Sequence, residues 1–479
     1  MLKDNFLIEI KLLIRGKWIL VLCVSLIAIL SFATFNGTKN VSKRQLDIEK
    51  VQIDQSQKDS VMLATLSKIE RGEKVDLPSW RLPSEPMTIG DRHPRLAVMN
   101  PENLSFIATG QSDMYTHFKS PKVYGNNFAL DYAEMINPVQ LLFGNFDIAF
   151  VLIYILPLLI IAFTYNILSK EKELGTLRII AAQPISTFSW LFQKLVIRFL
   201  FFSAITTFIL CVTIVIFSTE ASVNVFDLLG LFLLAISYYL FWFVMAFIVN
   251  IKINDSSKNA LTLVGLWLLI VLVIPATINQ IGNALYPIPS RLNMINEIRA
   301  IKKESEAKQD EIMDTYLRNH PELAQGNDKK QFGFWHNYFA SEKVMEKKTE
   351  PLLKKYDLQL KKQQKFIMAF QFASPAIIVQ QSLNKIAATS EMHYNDFKKQ
   401  VFEFSKQWRN YLKPILFRQE KFTVKNYYEL PKFYYQNRIK HRIWLNVFIL
   451  FSINGIILLI FGGKKLVNKL PHRFLKLFS

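Results

Sequence analysis

Six long apolar blocks constrain this sequence more than any other feature. They lie at residues 18–35, 146–168, 195–217, 226–249, 260–281 and 444–462. A helix needs about 20 apolar residues to cross the roughly 30 Å hydrocarbon core of a bilayer, and each block is close to that length. Barrel strands would be shorter and would alternate in polarity. The blocks therefore predict an all-α membrane protein with six transmembrane helices.

The charged flanks of these blocks predict the orientation of the chain. Sixteen Lys and Arg residues lie in the termini and short loops on one side, whereas the short loop 218–225 on the other side has none. Because short cytoplasmic loops carry an excess of Lys and Arg, we expect both termini in the cytoplasm. The same rule accounts for part of the net charge of +20, so nucleic acid is not an expected partner.

Two long segments separate the blocks and are expected on the opposite side, as large extracytoplasmic insertions. The first, residues 36–145, begins with a polar stretch that could be helical and then becomes rich in proline, which favours loops and short extended pieces. The second, residues 282–443, is predicted to consist mainly of long helices. Their expected bounds are 291–318, 342–372 and 394–411, the last ending before Pro414.

The middle helix of the second segment carries an apolar stripe with steps of three and four residues. The stripe consists of Leu353, Tyr356, Leu360, Gln363, Ile367 and Phe370, in which only Gln363 is strongly polar. Such spacing is typical of a narrow helical seam. It predicts a helical hairpin packed on itself, with a stalk that docks a partner as the alternative.

Several common catalytic and nucleotide-binding motifs are missing from the sequence. It contains no G-x-x-x-x-G-K-[ST] loop, no H-E-x-x-H pair and no G-x-S-x-G turn. We therefore expect no catalytic, cofactor-binding or metal-binding residues, and an enzyme is the least favoured class. Polar residues inside the spans either line a path or bridge helices, and they assign no substrate. They are Tyr165, Asn166, Asn279, Gln280, Asn446 and Asn454.

The loop at residues 169–194 has the most specific pattern. It begins Ser-Lys-Glu-Lys-Glu-Leu-Gly-Thr-Leu at Ser169 and continues to Pro-Ile-Ser at Pro184. Charged residues leave the membrane, Gly175 permits a bend, and Pro184 breaks the chain before the next helix. An ordinary basic flank with solvated charge pairs is the alternative interpretation of this loop.

This loop resembles that of the ABC-2 type permeases, the membrane subunits of ATP-binding-cassette transporters. In that family an E-x-E-x-G-T-L stretch follows the second span, and Pro-[IV]-Ser comes after it. Flanking stretches resemble the subgroup that carries the label DUF3526. They are residues 137–138, 144–151 and 154–161, Arg92-His93-Pro94, Gly110 with Asp113, Pro289-Ser290-Arg291 and Ser374-Pro375-Ala376.

The resemblance implies partners and a site. Two permease subunits would pair, as a homodimer or heterodimer, and each would meet an ABC ATPase subunit that binds ATP and Mg²⁺. This chain itself would hold no cofactor. The residues implied in coupling to the ATPase are Glu171, Glu173, Gly175, Thr176, Leu177 and Pro184. Residues 1–17 resemble an interfacial elbow helix in contact with membrane lipids, and residues 463–479 would form a basic cytoplasmic tail.

The expected function is therefore that of a permease subunit of an exporter in the bacterial cytoplasmic membrane. It would couple ATP hydrolysis by a separate chain to substrate movement. The alternative is a mechanical transmitter, in which the outer helices act on an extracytoplasmic partner and nothing crosses the bilayer.

Overall fold

The first helix, α1, is the longest element of the structure. In the computed structural model of the chain it runs over Lys17–Glu70 without interruption, which is about 80 Å at 1.5 Å per residue. It contains no proline and a single glycine, Gly37. The expected span at 18–35 and the polar stretch after it are therefore parts of one continuous helix.

The structure describes residues 9–11, 15–123, 145–177, 179, 182, 187–217, 224–308, 312, 315, 318, 334–439 and 443–467. Much of the expected elbow segment 1–17 and of the expected tail 463–479 therefore lies outside the described residues. Within them the helices after α1, apart from short 3₁₀ turns, are α2 (Pro86–Arg92), α3 (Ile148–Glu173), α4 (Thr187–Phe217), α5 (Val225–Lys252), α6 (Ser256–Leu285), α7 (Arg291–Ala307), α8 (Phe334–Ala369), α9 (Pro375–Ile386), α10 (Glu391–Phe417), α11 (Val424–Glu429) and α12 (Ile443–Val467). Two short strands, β1 (Ala97–Val98) and β2 (Phe118–Lys119), lie between α2 and α3.

Six of the described helices are long and apolar enough to cross a membrane: α1, α3, α4, α5, α6 and α12. They correspond to the six predicted blocks, so the prediction of six helices of membrane-crossing length and composition is confirmed. The two described strands are two residues each and pair in antiparallel fashion, with Ala97 opposite Lys119. The chain thus has the architecture of a nearly all-α, multi-pass membrane protein.

Helix α5 lies at the centre of the apolar core. In the most apolar 18-residue stretch of α5, 67% of the residues are buried, against 17% in the corresponding stretch of α6. The large side chains of Tyr238, Tyr239 and Trp242 on α5 are fully buried. Helices α3, α4, α9 and α12 surround it, so α6 stands at the margin of this bundle.

Two of the membrane helices contain a π-helical turn just before a proline. In α3 the turn Val151–Ile155 precedes Pro157, and in α6 the turn Leu268–Val273 precedes Pro275. A proline inside a helix removes a hydrogen-bond donor and crowds the carbonyl one turn earlier, so regular α-helical bonding is interrupted before it. A hydroxyl from another element donates to a carbonyl in each turn: Tyr238 to Ile153 at 3.1 Å, and Ser374 to Ile270 at 2.7 Å.

The second long segment is helical, as predicted, but its helices differ from the expected bounds. Helices α7 and α8 pack on one another as a hairpin. The helix predicted over 394–411 was expected to end before Pro414, and this was wrong, because α10 passes through Pro414 and ends at Phe417. Its last residues, Ile415 to Phe417, are buried in a cluster with Met62 and Leu66 of α1. Burial of these apolar side chains offsets the cost of a proline in the final turn.

Candidate functional site

The predicted coupling loop begins as a short continuation of α3. Residues Ser169–Glu173 are helical, and Gly175 follows in the left-handed region with φ +75°. The Gly175 N–H donates to the Lys172 carbonyl at 3.1 Å, which closes the last turn. Glycine is favoured at this position because it adopts positive φ without strain. No heavy atom of the described chain lies within 4 Å of where its Cβ would be, so it is the backbone conformation, and not crowding, that favours glycine here.

Glu171 is held within the loop and to α4. One carboxylate oxygen accepts a hydrogen bond from the Thr176 hydroxyl, and the other lies 3.7 Å from the Lys194 ammonium. Lys194 also lies 3.5 Å from Glu9, and Glu9 lies 3.3 Å from Arg198. The charges therefore alternate in sign along one connected chain, which runs from the loop through the start of α4 to residues 9–11.

The centre of this chain of charges is buried. Only 4% of the Glu9 side chain is exposed, with 18% for Lys194 and 17% for Arg198. Charged groups are stable at such positions only when opposite charges and hydrogen bonds satisfy them. Arg198 also donates to the Phe163 carbonyl on α3 at 2.6 Å, so these side chains join three parts of the molecule.

Glu173 connects the loop to the beginning of α6. Its carboxylate accepts the backbone N–H of Ser256, the first residue of α6, at 2.8 Å. Asp255 caps the same helix by accepting the Lys258 N–H at 2.9 Å. Carboxylates are favourable here because the free N–H groups and the helix dipole both attract negative charge. The hydroxyls of Ser169 and Ser256 are also 2.8 Å apart.

Two fully buried asparagines form hydrogen bonds with the backbone just before the loop. The Asn250 amide donates to the Thr164 carbonyl at 3.0 Å, and its oxygen accepts the Leu168 N–H at 3.3 Å. The Asn259 amide donates to the Tyr165 carbonyl at 3.1 Å. These bonds satisfy the backbone of a turn where α3 is not regularly helical. Sequence reasoning missed both residues, although each flanks the short polar loop between α5 and α6.

The outward surface of the loop is partly apolar. Leu174 is 65% exposed and Ile179 is 67% exposed, and Lys170, Glu173 and Gly175 are exposed beside Leu174. Leu177, by contrast, packs partly buried against the core. The structure thus brings Glu171, Glu173, Gly175, Thr176 and Leu177 together. Pro184 lies outside the described residues.

The polar residues predicted inside the spans have two different environments. Asn446 donates to the Ser382 hydroxyl at 2.7 Å and Asn454 donates to the Ser237 carbonyl at 2.9 Å, so both bridge helices. Asn279 and Gln280 are exposed on α6. Among the described residues, no group of three His, Cys, Asp or Glu side chains could hold a metal ion.

Comparison with known proteins gives one match. The family described as "Domain of unknown function (DUF3526)" matches residues 291–436, which contain α7 to α11. The DUF3526 label is therefore confirmed for this part of the chain. No curated protein and no solved structure matches the sequence.

Proposed function

We propose that this chain is the membrane-spanning permease subunit of an ABC-2 type exporter, driven by ATP hydrolysis on a separate chain. The observation that carries the proposal is the loop after α3. It has the E-x-E-x-G-T-L pattern, projects apolar side chains outward, and is bonded by its two glutamates to two other membrane helices.

The bonding pattern favours transmission of force rather than catalysis. A load on Leu174 and Ile179 would reach α4 through Glu171 and Lys194, and would reach α6 through Glu173. Because Glu171 is paired with the mostly buried Lys194 and Glu173 accepts the first N–H of α6, the ends of α3, α4 and α6 would move together as a rigid body. Mechanical coupling to a partner requires such a connection.

The proposal assigns the remaining parts by the same family. ATP and Mg²⁺ would be bound by ABC ATPase subunits, and a second permease chain, identical or related, would complete the complex. The loop and both termini would face the cytoplasm of a bacterial cell. The two long segments would then lie on the far side of the cytoplasmic membrane.

The proposal is tested by changing the glutamates and the exposed leucine separately. We expect Glu171→Ala with Glu173→Ala to leave an ATPase chain bound but to abolish stimulation of its activity in lipid nanodiscs, because the loop is no longer tied to α4 and α6. We expect Leu174→Asp to abolish recovery of the ATPase chain in mild detergent. Glu49→Ala, an exposed glutamate on α1, is the matched control and should change neither.

Two results would contradict the proposal. One is recovery of the native chain from its own membranes without any P-loop ATPase. The other is stimulated ATPase activity that is unaffected by loss of both glutamates.

A second candidate function, mechanical transmission, is favoured by α1. Its membrane part and its polar part form one rigid rod of about 80 Å, so a tilt in the bilayer would be carried to its far end. ATP-dependent movement at Glu70 with a sealed dimer interface would support transmission. A continuous cavity between two subunits would support transport.

A further inference from the structure

A groove of about 490 Å³ lies beside the polar part of α1. One side of it is bounded by β1 and the residues just before that strand, and the other side by residues 432–434. Its floor is one face of α1, because the residues that line it there are spaced by three and four positions. They are Gln52, Gln55, Ser56, Asp59, Ser60 and Leu63.

The edge of β1 that borders the groove is unpaired. Ala97 pairs with β2, and the Met99 N–H donates to the His117 carbonyl at 2.8 Å. Successive residues of an antiparallel strand direct their backbone groups to opposite sides. The N–H and carbonyl of Val98 therefore point away from β2, and Leu96 and Val98 both line the groove. Neither backbone group of Val98 has a hydrogen-bond partner in the part of the chain that the structure describes.

The opposite wall, residues 431–436, is a piece of extended chain. Half-buried and exposed residues alternate along it from Pro431 to Gln436, which is the period of a strand. The rings of Phe433 and Tyr435 both pack on Phe397, with centroids 6.0 Å and 5.8 Å away. Tyr434 lies between them and is 74% exposed. This wall therefore presents an aromatic ring to the groove.

The polar groups of the floor are bonded to one another, whereas a cation in the wall is not. The Asp59 carboxylate accepts hydrogen bonds from Arg95 and Tyr427 at 2.9 Å each. It also accepts one from the Gln55 amide at 2.8 Å. Lys432 is exposed and forms no ion pair with any residue that the structure describes. The groove thus offers one positive charge to an acidic occupant.

The size of the groove fits a short stretch of extended polypeptide. A residue in a sheet occupies about 160 Å³, from a rise of about 3.3 Å, a strand spacing of about 4.8 Å and a layer spacing of about 10 Å. The groove therefore holds about three residues. Unpaired strand edges are templates for the addition of another strand. A saccharide would suit the amides and the Tyr434 ring, but it would leave the edge at Val98 unused.

We propose that this groove binds an extended, acidic segment of a partner polypeptide, which adds to the free edge of β1 at Val98 as a third strand. The partner's backbone pairs with Val98, and an Asp or Glu side chain pairs with Lys432. Its remaining side chains alternate between the polar face of α1 and solvent. This inference goes beyond the proposed export function and does not depend on it, since it concerns only the region beside the polar part of α1.

The test uses the full chain in lipid nanodiscs, with a fluorescent peptide as the probe. The peptide is selected from a library of random short peptides by binding to the native chain, after depletion on Val98→Pro. Proline is tolerated at an edge position whose N–H faces solvent, so Val98→Pro should keep the native melting temperature. Met99→Pro should lower it, because that substitution removes the bond to His117.

We expect the selected peptides to contain an acidic residue and to bind through one edge of their backbone. N-methylation should weaken binding about tenfold at the alternate amides that face Val98, because each methyl group removes a hydrogen bond. It should have much less effect at the amides between them. Fluorescence anisotropy measures both series. Equal sensitivity at every amide would contradict addition to β1.

Lys432→Glu is a second variant, and its folding does not depend on the β1 backbone. It should weaken binding of the same peptide several-fold, because the acidic residue then meets a like charge. Lys425→Glu is the matched control, since the Lys425 side chain is 85% exposed on α11 outside the groove, and it should leave binding unchanged. Recovery of no peptide after depletion would overturn the proposal. So would binding of soluble oligosaccharides in place of peptides, and either result would leave the tests of Glu171, Glu173 and Leu174 unaffected.

Discussion

Glu9 lies between Lys194 and Arg198 with only 4% of its side chain exposed. The residue belongs to a segment far from α4 in the sequence, yet its carboxylate balances two cations at the start of that helix. Removing one partner from a buried ion pair typically costs about 3–5 kcal/mol, because the remaining charge is left unpaired. A single side chain therefore holds residues 9–11 against the helix that Glu171 also contacts.

Buried histidines give the molecule a pH dependence. The His117 ring is 2.9 Å from the Ser112 carbonyl, and burial, together with the nearby Arg44 charge, lowers the pKa of His117 to about 3. An unfolded histidine titrates near pH 6.5. The folded state therefore keeps this ring neutral where the unfolded state takes up a proton, so stability is complete above about pH 6.5 and falls as the pH is lowered.

We expect this residue alone to remove about 2 kcal/mol of stability between pH 7 and pH 5. In His117→Gln the decrease should be smaller by that amount. It should not vanish, because burial also lowers the pKa of His93. Thermal unfolding of the purified protein at several pH values measures the effect, and pH 8 serves as the reference at which neither histidine contributes. Equal pH dependence in the native protein and the variant would contradict the prediction.

At the scale of elements, the close approach of α1 to the first long segment depends on Gly37. A Cβ at this position would overlap the backbone carbonyl of Phe106. Phe106, Ile107 and Ala108 are buried in the main apolar cluster, and the Ile107 carbonyl accepts the Ala149 N–H at the start of α3 at 2.9 Å. Gly37 thus lies where α1, this buried stretch and α3 meet.

Gly37→Ala should destabilise the protein by about 1–3 kcal/mol, because a backbone atom cannot move aside as a side chain can. Gly265→Ala is the matched control, since Gly265 is also helical and a Cβ there would meet nothing within 4 Å in the described chain. That substitution should be neutral or slightly stabilising, as alanine favours helix. Equal melting temperatures for the two variants would show that the contact at Phe106 contributes nothing.

The elements that the sequence predicts well are those that the bilayer dictates. The span at 226–249 needs about 20 apolar residues whatever its neighbours are, and α5 covers it. The left-handed conformation of Gly175 was also foreseeable, because a charged helix end followed by glycine is a common C-terminal signal. Both features depend on local chemistry only.

Other elements depend on tertiary contacts that periodicity does not reveal. The spacing of Leu360, Gln363 and Ile367 predicts a seam between helices, and Gln363 and Ile367 do face a neighbouring helix, but that helix is α6. The absence of charge after Lys365 was the missed signal that this part of the second segment packs on the apolar helices. Glu9, Asn250 and Asn259 carry no motif, since each matters only through a partner distant in sequence.

At the scale of the whole molecule, the two long segments form one unit. The Ser105 hydroxyl donates to the Ala387 carbonyl at 2.9 Å, and the Thr389 hydroxyl donates to the Ala108 carbonyl at 2.7 Å. Gly110, with φ +55°, lies against Thr389. Two residues that resemble the DUF3526 subgroup thus lie at contacts between segments. Gly110 lies at the contact between the two long segments, and Ser374 lies at the contact of the second segment with α6.

A second contact between the two long segments lies near the end of α1, around Asp59. Its carboxylate accepts hydrogen bonds from the Arg95 guanidinium and from the Tyr427 hydroxyl, each at 2.9 Å. The guanidinium also stacks over the Tyr427 ring at 4.2 Å. Asp59 is 9% exposed and Arg95 is 19% exposed, so solvent screens this pair far less than a surface pair. Three elements that are remote in sequence converge on one carboxylate.

Asp59→Ala should therefore loosen both long segments at once. It leaves the Arg95 charge half-buried without its carboxylate, at a cost of about 3 kcal/mol, and we expect faster amide hydrogen exchange in the peptides around Arg95 and around Tyr427. Asp54→Ala is the matched control, because Asp54 pairs with Lys58 on the exposed surface of the same helix, where an ion pair contributes less than about 1 kcal/mol. If exchange increased around only one of the two sites, the segments would be held together elsewhere. Movement at the far end of α1 would then pass to one of them alone.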